Sequence, residues 1–275
     1  MVRSDQHQPI IRELLVRYLD TWTPAALHSG RTVTYASNAG ADSAIAALRV
    51  FGEFADRLAG HRLVMALTAP DPEALRRQLD TVHSELGGPA ELVIQITTGD
   101  TTINPKGPLF GYAEEPVDLS TMVLGKHAEL LLAVDRDVEI TALPLSLRVE
   151  LVDHSGQSVL LVFATAAAKH LERFKDELWA VDEYAGVRYR DPRDREGTLL
   201  DISLTPDLAP LRRAVLRLVT RSGRTVADLR AYTQVETIYR VADVNRLLPS
   251  MLTAGTLARE PERGRLTPDT VVRRP

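Results

Sequence analysis

Small and acidic residues follow several apolar segments of the sequence, at positions where a nucleotide-type cofactor could be held. Such a cofactor needs close backbone approach at the first turn, which glycine permits, and a carboxylate for its ribose hydroxyls. The residues that could supply these contacts are Asn38, Gly40, Asp42, Asp71, Asp100 and Glu115. They define a candidate cofactor site, and an ordinary strand-to-helix turn around Gly40 is the alternative.

Each acidic candidate after the first turn also has a purely structural interpretation. Asp71 precedes Pro72, so its side chain could cap a helix instead of binding a ribose. Asp100 could lie near an adenine or simply close a turn. Glu114 and Glu115 are adjacent, and neighbouring side chains on a strand end point to opposite faces, so at most one of them faces a cleft. A solvated acidic loop is the alternative for this pair.

The composition excludes several other kinds of chemistry. The chain contains no cysteine, which removes disulfides, thiolate nucleophiles, iron–sulfur ligation and cysteine-ligated zinc. The seven histidines are scattered and form no short metal-ligand spacing. Neither the nucleophile elbow of hydrolases nor the phosphate-binding loop that ends in Gly-Lys-Ser/Thr is present. We therefore predict no metal site, and the sequence identifies no catalytic residue.

The sequence also predicts where the protein resides. No apolar run approaches the roughly 20 residues that a membrane-spanning helix requires. The segment 1–8 is polar, so we expect no signal peptide. These features favour a cytoplasmic protein without a membrane partner.

Strand and helix patterns alternate through the first two thirds of the chain. We expect strands at 32–36, 61–67, 92–97, 109–112 and 129–134, with helices at 10–22, 42–58, 72–86 and 117–126. Strands at 145–152 and 158–164 flank Asp153-His154-Ser155-Gly156, which predicts a hairpin, and a helix at 166–181 follows. This alternation predicts a doubly wound α/β fold with a mostly parallel sheet and an antiparallel hairpin at its edge.

The C-terminal part of the chain has a distinct charge and pattern. Residues 207–275 contain 13 arginines, no lysine and 7 acidic residues, a net charge of +6, while the remainder carries −10. A basic tail on an acidic body is typical of an anionic partner, and an ordinary surface that uses arginine is the alternative. Three helices at 209–220, 226–232 and 241–252, then a hairpin of 256–259 and 265–267, match a winged helix-turn-helix plan.

Two features of the third helix bear on that plan. Pro249 would cost roughly 3 kcal/mol inside a regular helix, so we expect a kink or a late start. Asp243 would repel phosphate, which favours a protein partner over DNA, although DNA stays an alternative. The residues expected to contact DNA or a protein partner, from this helix and from the hairpin, are Arg240, Asn245, Arg246, Arg259, Arg263 and Arg265.

Four segments together resemble a known family. They are the opening helix at 11–22, AIAALRV at 44–50, TTGD at 97–100, and VFATAAAKHLERFKDELWAVD at 162–182. They resemble the three-Cys-motif partner family, whose methyltransferase-like domain is encoded beside a radical-S-adenosylmethionine-type protein that carries the three cysteines. The resemblance covers most of the chain and implies a class I methyltransferase-like fold with a C-terminal winged helix.

The chain departs from that family where the cofactor would bind. The first strand runs into TYASNAGADSA, with one glycine and no acidic residue at the strand end. The second ends in MALTAPDP, where only Asp71 is close, and the fourth has Glu115-Pro116 in place of an Asp-Pro pair. These departures imply that S-adenosylmethionine binding is weak or lost.

We therefore expect a catalytically degenerate partner or scaffold protein that works with another protein, such as a radical-S-adenosylmethionine-type enzyme. Its predicted parts are a methyltransferase-type domain at 1–190, a linker at 191–205 and a winged helix domain at 206–275. Two alternatives stay open. One is an active S-adenosylmethionine-dependent methyltransferase with an atypical cofactor loop, and the other is a regulator that binds DNA through the winged helix.

Overall fold

A computed structural model describes residues 6–98, 107–114, 124–182, 186–219 and 222–275. The helices and strands before residue 201 are α1 (His7–Ser29), β1 (Thr32–Ser37), α2 (Ala41–Glu53), β2 (Arg62–Thr68), α3 (Pro72–Glu85), β3 (Leu92–Thr97), β4 (Leu109–Ala113), β5 (Ala128–Val134), β6 (Leu145–Val152), β7 (Ser158–Thr165), α4 (Ala168–Ala180), β8 (Arg188–Arg190) and β9 (Leu199–Leu200). The helix expected at 117–126 falls mostly outside the described residues.

The strands form one sheet in the order β3-β2-β1-β4-β5-β7-β6-β8-β9. Strands β1 to β5 run parallel to one another, and β7 is antiparallel to both β5 and β6. Every residue of β4 and β5 is buried, as expected for central strands that are covered on both faces. The predicted α/β fold with a mostly parallel sheet is confirmed.

The predicted hairpin forms, but it does not lie at the edge of the sheet. Gly156 adopts φ +82° in the turn, and the Asp153 carboxylate accepts hydrogen bonds from the backbone N–H groups of Ser155 and Gln157. Strands β8 and β9 continue the sheet beyond β6. The segment 191–205, expected as a linker, therefore contributes β9 to the sheet. The boundaries of the predicted domains stay predictions.

Residues 209–273 form three helices and a small sheet. The elements are α5 (Ala209–Leu218), β10 (Arg224–Thr225), α6 (Val226–Glu236), α7 (Val241–Thr253), β11 (Ala258–Glu260) and β12 (Val271–Arg273). The three strands are antiparallel in the order β10-β12-β11. The strand predicted at 265–267 does not form. Strand β12 pairs with β11 instead, and its Val272 side chain is fully buried.

The ends of α6 and α7 follow their sequence signals. Thr225 caps α6 and forms a reciprocal capping box with Asp228. Gly255, with φ +66°, follows the end of α7. The helix begins at Val241 and continues through Pro249. Of the two ways expected to accommodate this proline, a late start of the helix is therefore wrong. Pro249 is exposed.

A buried lysine fastens α4 to the end of α6. Lys175 is 0% exposed, and its Nζ donates to the carbonyl oxygens of Thr233 at 2.9 Å, Gln234 at 2.7 Å and Tyr239 at 2.8 Å. The last carbonyls of a helix have no partner within that helix, and a cation near them is favourable. Lys175 is not part of a solvated helix face, and its hydrogen-bond partners lie 58 to 64 residues further along the chain.

Further hydrogen bonds from the first part of the chain satisfy the turn between α6 and α7. Trp179 Nε1 donates to the carbonyl oxygen of Ile238 at 3.0 Å, and Asp191 Oδ2 accepts from the Ile238 N–H at 3.3 Å. Glu172 Oε1 accepts from the Val241 N–H, at the start of α7, at 2.7 Å. One apolar cluster runs through both parts of the chain. Residues 209–273 are therefore packed and hydrogen-bonded onto α4.

We expect Lys175→Met to lower the free energy of unfolding by about 2–5 kcal/mol, because three buried carbonyl groups lose their donor. Denaturant titration of the full chain measures this change. Lys169→Met is the matched control on the same helix, since Lys169 is exposed, and it should change stability by less than about 0.5 kcal/mol. Equal losses in the two variants would contradict a fastening role for Lys175.

The same lysine predicts a pH dependence of stability. Burial lowers the pKa of Lys175 to about 7, although the carboxylates of Glu172 and Asp191 oppose the shift. An unfolded lysine has a pKa near 10.4, so the unfolded chain binds more protons between about pH 7 and 10. Stability should therefore rise with pH in that window, by up to about 1.4 kcal/mol per pH unit relative to Lys175→Met. A flat difference between the two proteins would contradict the lowered pKa.

Candidate functional site

The order of the strands reverses between β1 and β4. Strands β2 and β3 lie on one side of β1, and β4 and β5 lie on the other. Open α/β sheets bind ligands at such a switch point, outside the carboxyl ends of the strands. Ser37, the last residue of β1, stands opposite Tyr112 near the end of β4. The residues that follow these two strands therefore form the candidate site.

Glu114 connects the two sides of this switch point. Its Oε1 accepts hydrogen bonds from the Tyr112 hydroxyl at 2.8 Å and from Ser43 Oγ, in the first turn of α2, at 3.1 Å. Its backbone N–H donates to Asn38 Oδ1 at 3.3 Å. The segment after β4 is thus tied to the segment after β1. We call this group of four residues the Glu114 bridge.

The buried tyrosine hydroxyls at this site keep their protons. Burial raises the pKa of Tyr112 well above its usual value, and the nearby Glu114 carboxylate raises it further. Burial likewise raises the pKa of Tyr35. Both phenols stay protonated at neutral pH, so Tyr112 remains a donor to Glu114. The first turn of α2, which carries Ser43, is also a favourable place for a negative charge.

Gly40 precedes α2 at the same place. Its φ of −60° and ψ of 168° are open to any residue, and an added Cβ would meet nothing within 4 Å. Neither its backbone conformation nor the packing of the described residues requires a glycine. The position leaves open space beside the first turn of α2, where a ligand could approach the backbone.

The remaining predicted cofactor residues lie apart from the bridge or outside the described chain. Asp42 is 83% exposed and pairs with Arg12 of α1 at 3.3 Å. Asp71 caps α3, with Oδ1 accepting from the Ala74 N–H at 2.9 Å. Asp100 and Glu115 lie outside the described residues. Of the six predicted residues, the structure places Asn38 in the Glu114 bridge and Gly40 next to it.

Sequence reasoning considered Glu114 but did not select it, and it missed Ser43 and Tyr112. A signal was present, because residues two apart on an extended strand point to the same side. Tyr112 and Glu114 are separated in that way, so they share a side of the strand, but only the structure shows that this side is the buried one. Ser43 carried no comparable signal.

A second polar cluster lies at the other end of the strands and was also missed. Glu129, near the start of β5, is 3% exposed. Its Oε1 lies 3.0 Å from His170 Nδ1 of α4, and its other oxygen accepts from the Tyr18 hydroxyl of α1. Burial raises the pKa of Tyr18 well above its usual value. The cluster links α1, β5 and α4, and it lies at the ends of the strands that are opposite to the switch point.

Two of the predicted contact residues of α7 are engaged within the protein. Arg240 pairs with the buried Asp243 at 3.1 Å and donates to the carbonyl oxygen of Leu204 at 2.7 Å. Arg246 pairs with the same aspartate at 3.4 Å and donates to the carbonyl oxygen of Pro206 at 3.3 Å. These arginines fix the start of α7 to the segment before α5.

The other predicted contact residues surround a groove beside α7. Asn245 is exposed, and its Oδ1 accepts from Arg230 Nε of α6 at 2.8 Å. Arg259 donates to three carbonyl oxygens of the loop that follows β11. Arg263 and Arg265 are exposed on that loop. The structure therefore brings together Asn245, Arg259 and Arg265 at one groove.

The described part of the chain contains neither a metal-binding cluster of side chains nor a membrane-spanning helix. No three or more histidine, aspartate or glutamate side chains there are grouped so that they could hold a metal ion. No helix within the same ranges combines the length and the apolar character needed to cross a bilayer.

The weak structural similarities of this chain to known proteins include two transferases. No family model and no curated protein matches the sequence. A dimethyladenosine transferase from Plasmodium falciparum is 11% identical with a TM-score of 0.33, over 57% of this chain and 62% of its own, so the match spans less than two thirds of that protein. The 23S rRNA methyltransferase ErmE is 16% identical with a TM-score of 0.30, over 60% of this chain and 75% of its own. Because both TM-scores are low, we assign the α/β fold from the order of the strands and not from these similarities.

We expect Glu114→Ala to lower the free energy of unfolding by about 1–3 kcal/mol, because the buried Tyr112 hydroxyl loses its acceptor. Denaturant titration measures the loss. Glu114→Gln keeps an acceptor oxygen and should lose less. Glu262→Ala is the control, since Glu262 is exposed far along the chain in the loop after β11. A loss no larger than that of the control would show that the bridge contributes nothing to stability.

Proposed function

We propose that this chain is a methyltransferase-like protein that has lost efficient S-adenosylmethionine binding and works as a binding or scaffold subunit for another protein. The observation that carries the proposal is the Glu114 bridge. It joins the two segments between which a ligand of such a sheet would lie.

The acidic residues near this crevice are engaged in the protein's own structure. Among the described residues that directly follow β2, the only acid is Asp71, and its carboxylate caps α3. Glu114 supplies a carboxylate at the first turn of α2, where a nucleotide-type ligand needs hydrogen-bond donors. The described residues of the crevice therefore do not fit the cofactor.

The C-terminal residues support the binding role. Their order of helix, strand, two helices and two strands supports a winged helix. The start of α7 is the end that contacts bases in helix-turn-helix proteins, and here it is covered by Glu172 and by the internal pairs of Arg240. This arrangement favours a protein partner over DNA. The resemblance to the three-Cys-motif partner family supports a radical-S-adenosylmethionine-type enzyme as that partner.

Two observations favour a second candidate function. The open space at Gly40 and the methyltransferase-like strand order support an active S-adenosylmethionine-dependent methyltransferase with an atypical first loop. In that case the backbone beside Gly40 would approach the cofactor, and the Glu114 carboxylate would have to turn away from Ser43.

Calorimetric titration with S-adenosylmethionine and S-adenosylhomocysteine tests the proposal. We expect neither heat nor a thermal shift at millimolar ligand, because the crevice is occupied by the protein's own bridge. Binding that appears only in Glu114→Ala would agree with closure by this residue. Micromolar binding by the natural chain, abolished by Asp42→Ala or Asp71→Ala, would overturn the proposal and establish the second candidate.

A further inference from the structure

We infer that the groove beside α7 docks an acidic, amphipathic helical segment of a partner protein. The groove lies between α7 and the loop that joins β11 to β12. This inference rests on the proposed function of the chain as a binding subunit and names the chemistry of the segment that it binds.

The floor of the groove is apolar. Pro249 is exposed on it, Leu252 and Leu266 are half-buried, and Leu248 lies beneath. A proline inside a helix costs roughly 3 kcal/mol and supplies no N–H to the carbonyl four residues earlier, which belongs to Asn245. The floor thus offers apolar contacts, which suit a protein segment better than a phosphate.

The rim of the groove carries positive charge without a partner carboxylate. Arg230 donates to the neutral side chain of Asn245, and Arg259 donates to neutral backbone carbonyls. Arg265 is exposed beside them. Within the described ranges none of these three arginines forms an ion pair, in contrast to Arg240. Carboxylates on a docked segment would supply the missing counter-charge.

The dimensions of the groove suit a helix of a partner protein. An amphipathic helix places apolar anchors at i, i+3 or i+4, and i+7 into such a groove. Helix α7 has 13 residues, a length of about 20 Å, which matches about three to four turns of a docked helix.

Selection from a displayed library of random peptides tests the inference, with the full chain immobilised. We expect enrichment of peptides with net negative charge and apolar residues at helical spacing. A selected peptide is then labelled and its affinity measured by fluorescence anisotropy. The double variant Arg230→Gln/Arg265→Gln should weaken binding at least about threefold, and Leu252→Ser should weaken it about tenfold.

Matched variants keep the test independent of folding. Arg195→Gln removes an exposed arginine outside the groove and should leave the affinity unchanged. Arg265→Gln alone breaks no side-chain hydrogen bond of the described chain, so it reports on the rim even if Leu252→Ser fails to fold. Higher salt should weaken the peptide complex, because the rim contacts are partly exposed.

Several outcomes would overturn the inference. These are a selection that enriches no peptide, enrichment of basic peptides, and equal affinity in the arginine variants. Duplex DNA that binds more tightly than any selected peptide and is lost in the same variants would make the groove a nucleic-acid site instead. Micromolar cofactor binding in the calorimetric test would overturn the proposed function without changing the peptide result, so the two failures are distinguishable.

Discussion

The position of the C-terminal helices depends on one buried amine. Helix α6 ends with carbonyl groups that the helix itself cannot satisfy, and Lys175 of α4 reaches two of them and the carbonyl of Tyr239. Removing an amine from water is costly, and it is tolerated only where hydrogen bonds replace the lost hydration. The three carbonyls therefore fix where α6 lies, and α6 fixes the turn that leads into α7.

This arrangement decides which surfaces of the C-terminal helices face outward. The start of α7 is hydrogen-bonded to Glu172 and closed by the pair of Arg240 and Asp243, whereas its outer side, with Pro249, stays exposed. Rigid attachment to α4 presents that side in one orientation. A preformed surface of this kind loses little conformational entropy when a partner binds, which suits a scaffold.

The switch point of the sheet follows a similar logic. Acidic residues that a ligand could use are hydrogen-bonded to the protein itself, Glu114 to Ser43 and Tyr112 and Asp71 to the start of α3. The same fold that provides a ligand crevice in other proteins here has that crevice spanned by a side chain. A fold of this kind does not by itself give a function, because binding at such a sheet depends on a few side chains at the strand ends.

The sequence by itself determined most of the helices and strands up to residue 180 and the three C-terminal helices. Strand β3 and strand β6 have the predicted bounds, and the caps at Thr225 and Asp71 follow from local residue types. Only the tertiary structure decided the partners of Lys175, the inward turn of Glu114 and the pairing of β12. Hydrophobic periodicity and capping act within a few residues. The contacts of Lys175 with α6 and of Glu114 with Ser43 join positions 58 or more residues apart, and the pairing of β12 required a choice between two short apolar segments. A polar side chain meets its partner only after the apolar faces have packed, so its role is set by the fold and not by its neighbours in the chain.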